Sequence, residues 1–375
     1  MFRMSRTPDL PLGPVTGAAL DRVLERAPQA EWLLAHQGAE VLLSGDRAAG
    51  WLTRRAGPHL VALGAPMGPP APVALAATAR WRLLSPLLYK CDARTAQSAR
   101  ERGWAVLRLG DEAVLNLRLW SMDRPACRQL RRKLRSAGAQ ALRIEEARDL
   151  PLGPMEDVSR EWAIRHGGER GFSMGRFEAG LLRRQRVLLA WSSGSIVAFA
   201  SFHAIGREWA LDLMRHSSGA PDGAMHRLIA EAAVLARAEG AERLSLAAIP
   251  EPRVGRPWLD RLGLGACGLA QFKRSFGPEL RPRYAAAPSR LTLATGLAAV
   301  AWAIHRPPTL DRASTNPAEM PGPRRVGVLD VAHWLARPQF RFEPRPVPCD
   351  APPAQSRPAT IPPWDATGCP GRPDL

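Results

Sequence analysis

From Leu20 to Phe276 the apolar runs come twice in one order, and that repetition limits the possible folds more than any other feature of the chain. In the first pass a helical stretch, Leu20–His36, interrupted near Pro28, leads into strands at Val41–Ser44, Gly50–Leu52 and Leu60–Leu63. Val73–Leu83 and Ala93–Arg102 have helical character, while Leu87–Lys90 and Ala105–Leu109 read as strands. Gly110-Asp111 predicts a turn before a further strand, Ala113–Leu119. The second pass starts near Leu142. It has a helix at Pro154–His166, a glycine-rich turn, and strands at Val187–Trp191, Ile196–His203 and Glu208–Met214. A helix (Met225–Glu239), a strand (Leu244–Ala248) and a closing segment (Gln271–Phe276) follow. A meander, then helix, strand, helix and strand, in both halves predicts a tandem duplication of one α+β unit rather than a Rossmann domain.

On this reading the chain divides into a first unit over 15–122, a basic connecting helix over 123–141, a second unit over 142–304 and a tail over 305–375. Sixteen of the 36 prolines fall in the last 69 residues, too many for regular structure, so the tail is predicted to be disordered. Within it only Val326–Ala336 has the pattern of a short helix. No run reaches the roughly 18–20 apolar residues of a spanning helix. The nearest is Leu291–Ile304, where Leu293, Leu297, Val300 and Ile304 recur at helical spacing beside Trp302. It reads either as a terminal helix docked on the domain or as an interfacial helix lying on a membrane. Met1–Val15 has no apolar centre and does not read as a signal peptide.

The net charge is +17, from 52 Lys+Arg against 35 Asp+Glu, which favours polyanionic partners: nucleic acid, anionic lipid, or both. Arginine dominates so heavily that part of this charge reflects composition alone; Lys90, Lys133 and Lys273 are the only lysines. The densest cluster is the predicted helix Arg124–Ala137, with Arg128, Arg131, Arg132, Lys133 and Arg135. Five positive charges in eight residues cannot share one helical face, so this helix is either a solvated linker or a contact for phosphates. Cys91, Cys127, Cys267, Cys349 and Cys369 are scattered, with neither zinc-site spacing nor a disulfide framework, which fits a reducing cytoplasm. Neither GxGxxG nor GxxxxGK[ST] occurs, so no nucleotide cofactor is expected.

Three segments of the second unit narrow the function: Glu169-Arg170-Gly171-Phe172-Ser173-Met174-Gly175-Arg176-Phe177, Leu211-Asp212-Leu213-Met214-Arg215-His216 and Phe272-Lys273-Arg274-Ser275-Phe276. In this order and spacing the chain resembles the catalytic C-terminal domain of phosphatidylglycerol lysyltransferases, the multiple-peptide-resistance enzymes. The loop Ala220–Met225, the segment Pro282-Arg283-Tyr284 and the stretch Leu109–Ala113 with its following basic helix are also similar to that family. The likeness runs from about Leu20 to Ile304. The chain departs from the family at His226, where an acidic residue is usual, in Leu246–Pro250, and in a shortened stretch before Gly263.

The resemblance implies tandem GNAT-like folds, aminoacyl-tRNA as donor, and phosphatidylglycerol or a related lipid as acceptor, with lysyl the first expectation for the group transferred. No cofactor and no metal are expected, from the missing nucleotide motifs and the absence of zinc-site spacing. With no preceding membrane domain in the sequence, transfer is expected at the cytoplasmic membrane face by a peripherally associated protein. Exchanging one ester for another is close to thermoneutral, which fits the missing ATP motif. The site must orient the acceptor hydroxyl, assist loss of its proton and stabilise the tetrahedral oxyanion.

Asp212 and Arg215 lie at the end of an otherwise apolar strand, where charge is expensive unless partnered. They form either a structural ion pair or a catalytic pair, with Asp212 binding the amino group or assisting the hydroxyl and Arg215 holding phosphate. Lys273 is conspicuous where nearly every other basic residue is arginine; a compact ammonium suits an oxyanion or a phosphate. Glu169 reads as a second carboxylate for a substrate ammonium or as a solvated loop acid. Ser173 and Arg176 belong to the same substrate-binding segment. Gly223 opens a helix whose amides favour an anion. Arg131, Arg132 and Arg135 are the candidates for tRNA or lipid phosphate. Two alternatives remain open: a GNAT-type N-acyltransferase acting on a non-lipid acceptor, and an inactive tRNA- or membrane-binding module.

Overall fold

The computed structural model describes residues 12–138, 142–250 and 266–305. The proline-rich tail with Val326–Ala336, Cys349, Cys369 and the shortened stretch before Gly263 lie outside the described residues. Twelve strands form one mixed sheet: β1 (Gly13–Val15), β2 (Glu40–Leu43), β3 (Gly50–Ala56), β4 (His59–Met67), β5 (Ser85–Cys91), β6 (Ala105–Asn116), β7 (Arg143–Glu146), β8 (Arg186–Ser192), β9 (Ser195–Ile205), β10 (Glu208–His216), β11 (Arg243–Pro250) and β12 (Glu279–Ala287). Among the described residues the α-helices are α1 (Ala18–Leu24), α2 (Pro72–Trp81), α3 (Ala93–Glu101), α4 (Arg128–Gly138), α5 (Leu152–His166), α6 (Ala179–Leu182), α7 (Ala224–Ala238), α8 (Ala266–Arg274) and α9 (Arg290–His305). A 3-10 helix, Ala30–Gln37, replaces the second part of the expected N-terminal helix.

Residue chemistry explains the central elements. In β8 and β9 an apolar run, interrupted by the buried Ser201, is covered on both faces, as expected for strands packed on two sides. Alternate residues diverge: Leu188, Ala190, Ala198, Ala200 and Phe202 join the core under α7, while Val187, Leu189 and Phe199 join the one under α5. Ser193 and Gly194, both at positive φ, close the two-residue hairpin between these strands. Helix α7 turns Leu228, Ile229, Ala232, Ala233 and Ala236 inward at helical spacing.

The strand order is β1-β2-β3-β4-β5-β12-β6-β11-β10-β9-β8-β7. Among the described strands, parallel pairing occurs twice, β4 with β5 and β10 with β11. The last strand thus returns to sit between β5 and β6, while β6 pairs with β11 on its far side. This explains one difference from the sequence expectation. Gly110-Asp111 makes no turn, and β6 runs through it, because ladders on both sides, to β11 and β12, pair with this stretch of the strand. A second difference concerns the closing segment: Lys273 lies on α8, and Pro282-Arg283-Tyr284 lies inside β12.

Both parallel pairs part into a fork. β4 and β5 pair over His59–Leu63 and Ser85–Tyr89, then separate where Gly64 and Lys90 take left-handed conformations. β10 and β11 pair over Glu208–Ala210 and Arg243–Ser245. Beyond that point β10 shifts register between Leu211 and Leu213, and β11 kinks at Ala247, φ 62.

Candidate active site

The second fork collects the charged residues. Asp212 falls within the register shift of β10, and such bulges re-aim a side chain. Its side chain is 6% exposed. Gln185 donates to Oδ2 at 2.6 Å and Gln37, from the 3-10 helix, at 3.4 Å. His203 Nε2 stands 3.6 Å from Oδ1, beyond hydrogen-bond reach, and has no hydrogen-bond partner. Burial alone would raise the Asp212 pKa, but the influence of His203 and the donors Gln185 and Gln37 together hold it below the usual carboxylate range. The anion is thus sustained by His203 first and by the two amides. The loop after α5 lies directly on it: a Cβ at Gly175 would collide with the Asp212 carboxylate.

Arg215 does not form the ion pair with Asp212 that the strand pattern allowed. Its Nη2 donates to Glu169 Oε2 at 2.9 Å, its Nη1 to the Met214 carbonyl at 3.0 Å, and its guanidinium stacks 3.7 Å above the Trp162 ring. Glu169 accepts from Ser159 through its other oxygen at 3.0 Å. Glu169 and Arg215 therefore brace the glycine-rich loop against α5 and β10. Arg176 pairs with Glu178 at 3.2 Å. Ser173 faces Lys90, whose Nζ lies 3.4 Å from the hydroxyl.

Lys273 reaches the fork from α8. It is 4% exposed, and its Nζ donates to the Ala248 carbonyl, next to the β11 kink, at 2.9 Å. Burial drives its pKa down to about 7; the Lys90 charge adds to this, against Glu112 and Glu31. Glu112 accepts from Ser245 at 2.5 Å and from Arg283. Lys90 thus lies between the Ser173 loop and Lys273. Lys90 and Phe172 have left-handed φ of 59° and 64° and, with Ala247, are three of the six described non-glycine residues in that region. Strain of this kind concentrates at functional sites.

Gly223 and the basic helix lie elsewhere. Gly223, φ 88°, opens α7 against the backbone carbonyl of Lys133, into which a Cβ would collide. Lys133 binds both oxygens of Asp222 at 2.9 and 2.8 Å, tying this loop to α4. His226 is half-buried against Phe272 and Phe276, and this desolvation lowers its pKa to about 4. On α4, Arg131 bonds the carbonyls of Met122 and Arg124. Arg128, Arg132 and Arg135 are exposed and, at i, i+4 and i+7, share one face.

Gln37, Gln185, His203, Glu112, Arg283 and Lys90 escaped the sequence reading of the site. Lys90 had a signal: the rarity of lysine that marked Lys273 applied to it equally. The others are distant in sequence and have ordinary neighbours. Among the described residues no helix is long and apolar enough to cross a membrane, and no group of His, Cys, Asp and Glu is arranged to hold a metal.

Comparison with known proteins places this geometry. Residues 18–287 match the family described as phosphatidylglycerol lysyltransferase, C-terminal. The phosphatidylglycerol lysyltransferase of Bacillus subtilis is 25% identical over 54% of this chain and 26% of its own length. The lysylphosphatidylglycerol biosynthesis bifunctional protein LysX of Mycolicibacterium vanbaalenii is 36% identical over 43% of this chain and 15% of its own. The chain therefore spans about a quarter or less of the length of these two relatives. The fold is shared with the C-terminal domain of a lysylphosphatidylglycerol synthetase from Agrobacterium fabrum, with TM-score 0.67, 24% identity, and coverage of 76% of this chain and 96% of that one. It is also shared with FemX, at TM-score 0.54 and 12% identity, over 77% of this chain and 100% of that one. The chain belongs to the family of phosphatidylglycerol lysyltransferase C-terminal domains.

Proposed function

We propose that the protein transfers an aminoacyl group, lysyl first among candidates, from aminoacyl-tRNA to the glycerol hydroxyl of phosphatidylglycerol at the cytoplasmic membrane face. On this reading the sheet comprises two GNAT-like halves that exchange their last strands, with the fork of the second as the reaction site. The observation that carries the reading is a buried carboxylate, Asp212, and a buried lysine with pKa about 7, Lys273, gathered at the β10/β11 fork in a chain of this family.

The glycerol oxygen attacks the ester carbonyl, the bond to the ribose oxygen breaks, and the hydroxyl proton ends on that ribose oxygen. A lysine with pKa near neutrality can take the proton and return it. Its charged form, with Lys90, stabilises the oxyanion or holds the acceptor phosphate. Asp212 receives the ammonium of the aminoacyl group. Arg215 and Glu169 position the loop carrying Ser173 and Arg176. The exposed stripe Arg128, Arg132 and Arg135 offers itself to tRNA phosphates, whereas Arg131 is engaged by its own carbonyls. Acyl-CoA is disfavoured as donor, because in the loop before α7 Pro221 has no N–H to offer a pyrophosphate and Gly223 is packed against α4.

The test mixes protein, phosphatidylglycerol vesicles and tRNA charged with radiolabelled amino acids, then extracts lipid. Chloroform-soluble label that disappears after RNase treatment of the charged tRNA and in Lys273→Ala is expected. Absence of label with every amino acid would reject lipid aminoacylation.

A further inference from the structure

We propose that the turn between α2 and β5, with the adjoining β3–β4 hairpin, is the surface by which this protein docks on an anionic lipid bilayer. Trp81 is 79% exposed and Leu83 92% exposed, two residues apart on one turn. The turn is held firmly. Leu83 N donates to the Arg80 carbonyl at 2.9 Å, Leu84 N to Ala79 at 2.8 Å, and Ser85 N to Pro58 of the neighbouring hairpin at 2.9 Å. Leu83 sits at φ 56°, a left-handed conformation that leucine adopts only at a cost. Two large apolar side chains are therefore presented to solvent by a rigid backbone that is strained in doing so.

The charge around them selects the occupant. Arg80 is exposed beside Trp81, and Arg55, Gly57 and Pro58 are exposed on the hairpin. The acid of this region, Glu40, is taken up by Arg82 through bonds of 2.5 and 3.0 Å. Trp and Leu flanked by unneutralised arginines suit the headgroup level of an anionic membrane, where the ring is buried and the guanidinium meets phosphate. A second copy of the chain would set Arg55 and Arg80 against like charge.

The surface is also continuous with the candidate site. Arg55, Arg82 and Leu84 line a groove together with Arg54, and Arg54 bonds the carbonyls of Phe172 and Gln37. Phe172 precedes Ser173, and Gln37 holds Asp212. A lipid headgroup at this surface would stand beside the groove that borders the reaction site. The occupant rests on the lipid-acceptor reading above; the rigid apolar turn and its arginines do not.

The full chain is sedimented with vesicles of phosphatidylglycerol and phosphatidylcholine, and with phosphatidylcholine alone. Trp81→Ser/Leu83→Ser should bind the anionic vesicles about tenfold or more weakly than the parent, with its thermal midpoint kept. Leu83→Gly, which relieves the backbone but removes the side chain, should show part of that loss. Unchanged affinity of the double variant, equal parental binding to both vesicle types, or loss of self-association in place of vesicle binding would each overturn the proposal. The transfer assay run beside it separates the two readings. Vesicle binding that depends on Trp81 and Leu83, without transfer to any acceptor, would sustain the docking surface and remove the transferase.

Discussion

The two forks of the sheet share a backbone plan and differ in what fills them. At the β4/β5 fork the chain supplies its own plug: Trp32, 1% exposed, donates to the Ala65 carbonyl at 3.2 Å, and Gln29 accepts from Ala65 N at 3.1 Å. At the β10/β11 fork the opening carries Asp212 on one strand and is reached by Lys273 beside the other. The same 3-10 helix serves both. It places Trp32 in the first fork, Gln37 on Asp212, and its Ala30 N at 3.3 Å from Glu208 Oε1 on β10. Separated parallel strands are thus only a scaffold: apolar packing fills the first fork, and buried polar groups occupy the second, the proposed reaction site.

Replacing the plug should have the largest effect. Trp32→Ala is expected to lower the unfolding free energy by about 3–5 kcal/mol, read from denaturant midpoints. If the variant kept its stability and lost transfer instead, the first fork would belong to the chemistry and the contrast would break.

Lys273→Met should do the reverse, reducing transfer by about 10²–10³-fold without loss of stability at neutral pH. Burial lowers the lysine pKa from 10.5 to about 7. Between those values the unfolded chain holds the proton and the folded chain releases it, so parental stability rises with pH across that window and is penalised most at and below 7. The variant lacks this slope. Its stability relative to the parent should be greatest near pH 7 and shrink toward pH 10.5. Denaturant midpoints across this range that move in parallel would show that Lys273 stays charged in the fold.

Lys90→Ala sharpens the contrast, since Lys90 comes from the first fork and faces the second. Transfer should fall about tenfold, the worth of one charged hydrogen bond, and the pH–rate midpoint should move upward because a positive neighbour of Lys273 is gone. An unmoved midpoint would assign Lys90 to loop support alone.

Much of this was legible in local pattern. Helices α2, α3, α5, α7 and α9 lie within a few residues of their periodic signals, because each buries one side of its own segment. Asp212 and Arg215 were visible as charges at the end of an apolar strand, Glu169 through the family resemblance of its segment, and Lys273 through the scarcity of lysine. The partners were not. Gln37 reaches Asp212 across 175 residues, and Glu112 meets Arg283 across 171. The Gly110-Asp111 turn failed for a related reason: the ladders that straighten it come from β11 and β12, whose pairing no local window contains.

Local pattern in the chain was enough to place most of the helices, to mark the family and to single out charges that are costly to bury without a partner. The tertiary structure alone decided which of those charges meet. It turned Arg215 to Glu169 rather than to Asp212, set the Asp212 anion beside His203 and two amides, and placed Lys273 deep enough to bring its pKa to about 7. Periodicity is encoded within a turn or two of chain, whereas desolvation and pairing depend on neighbours that only the closed sheet brings together.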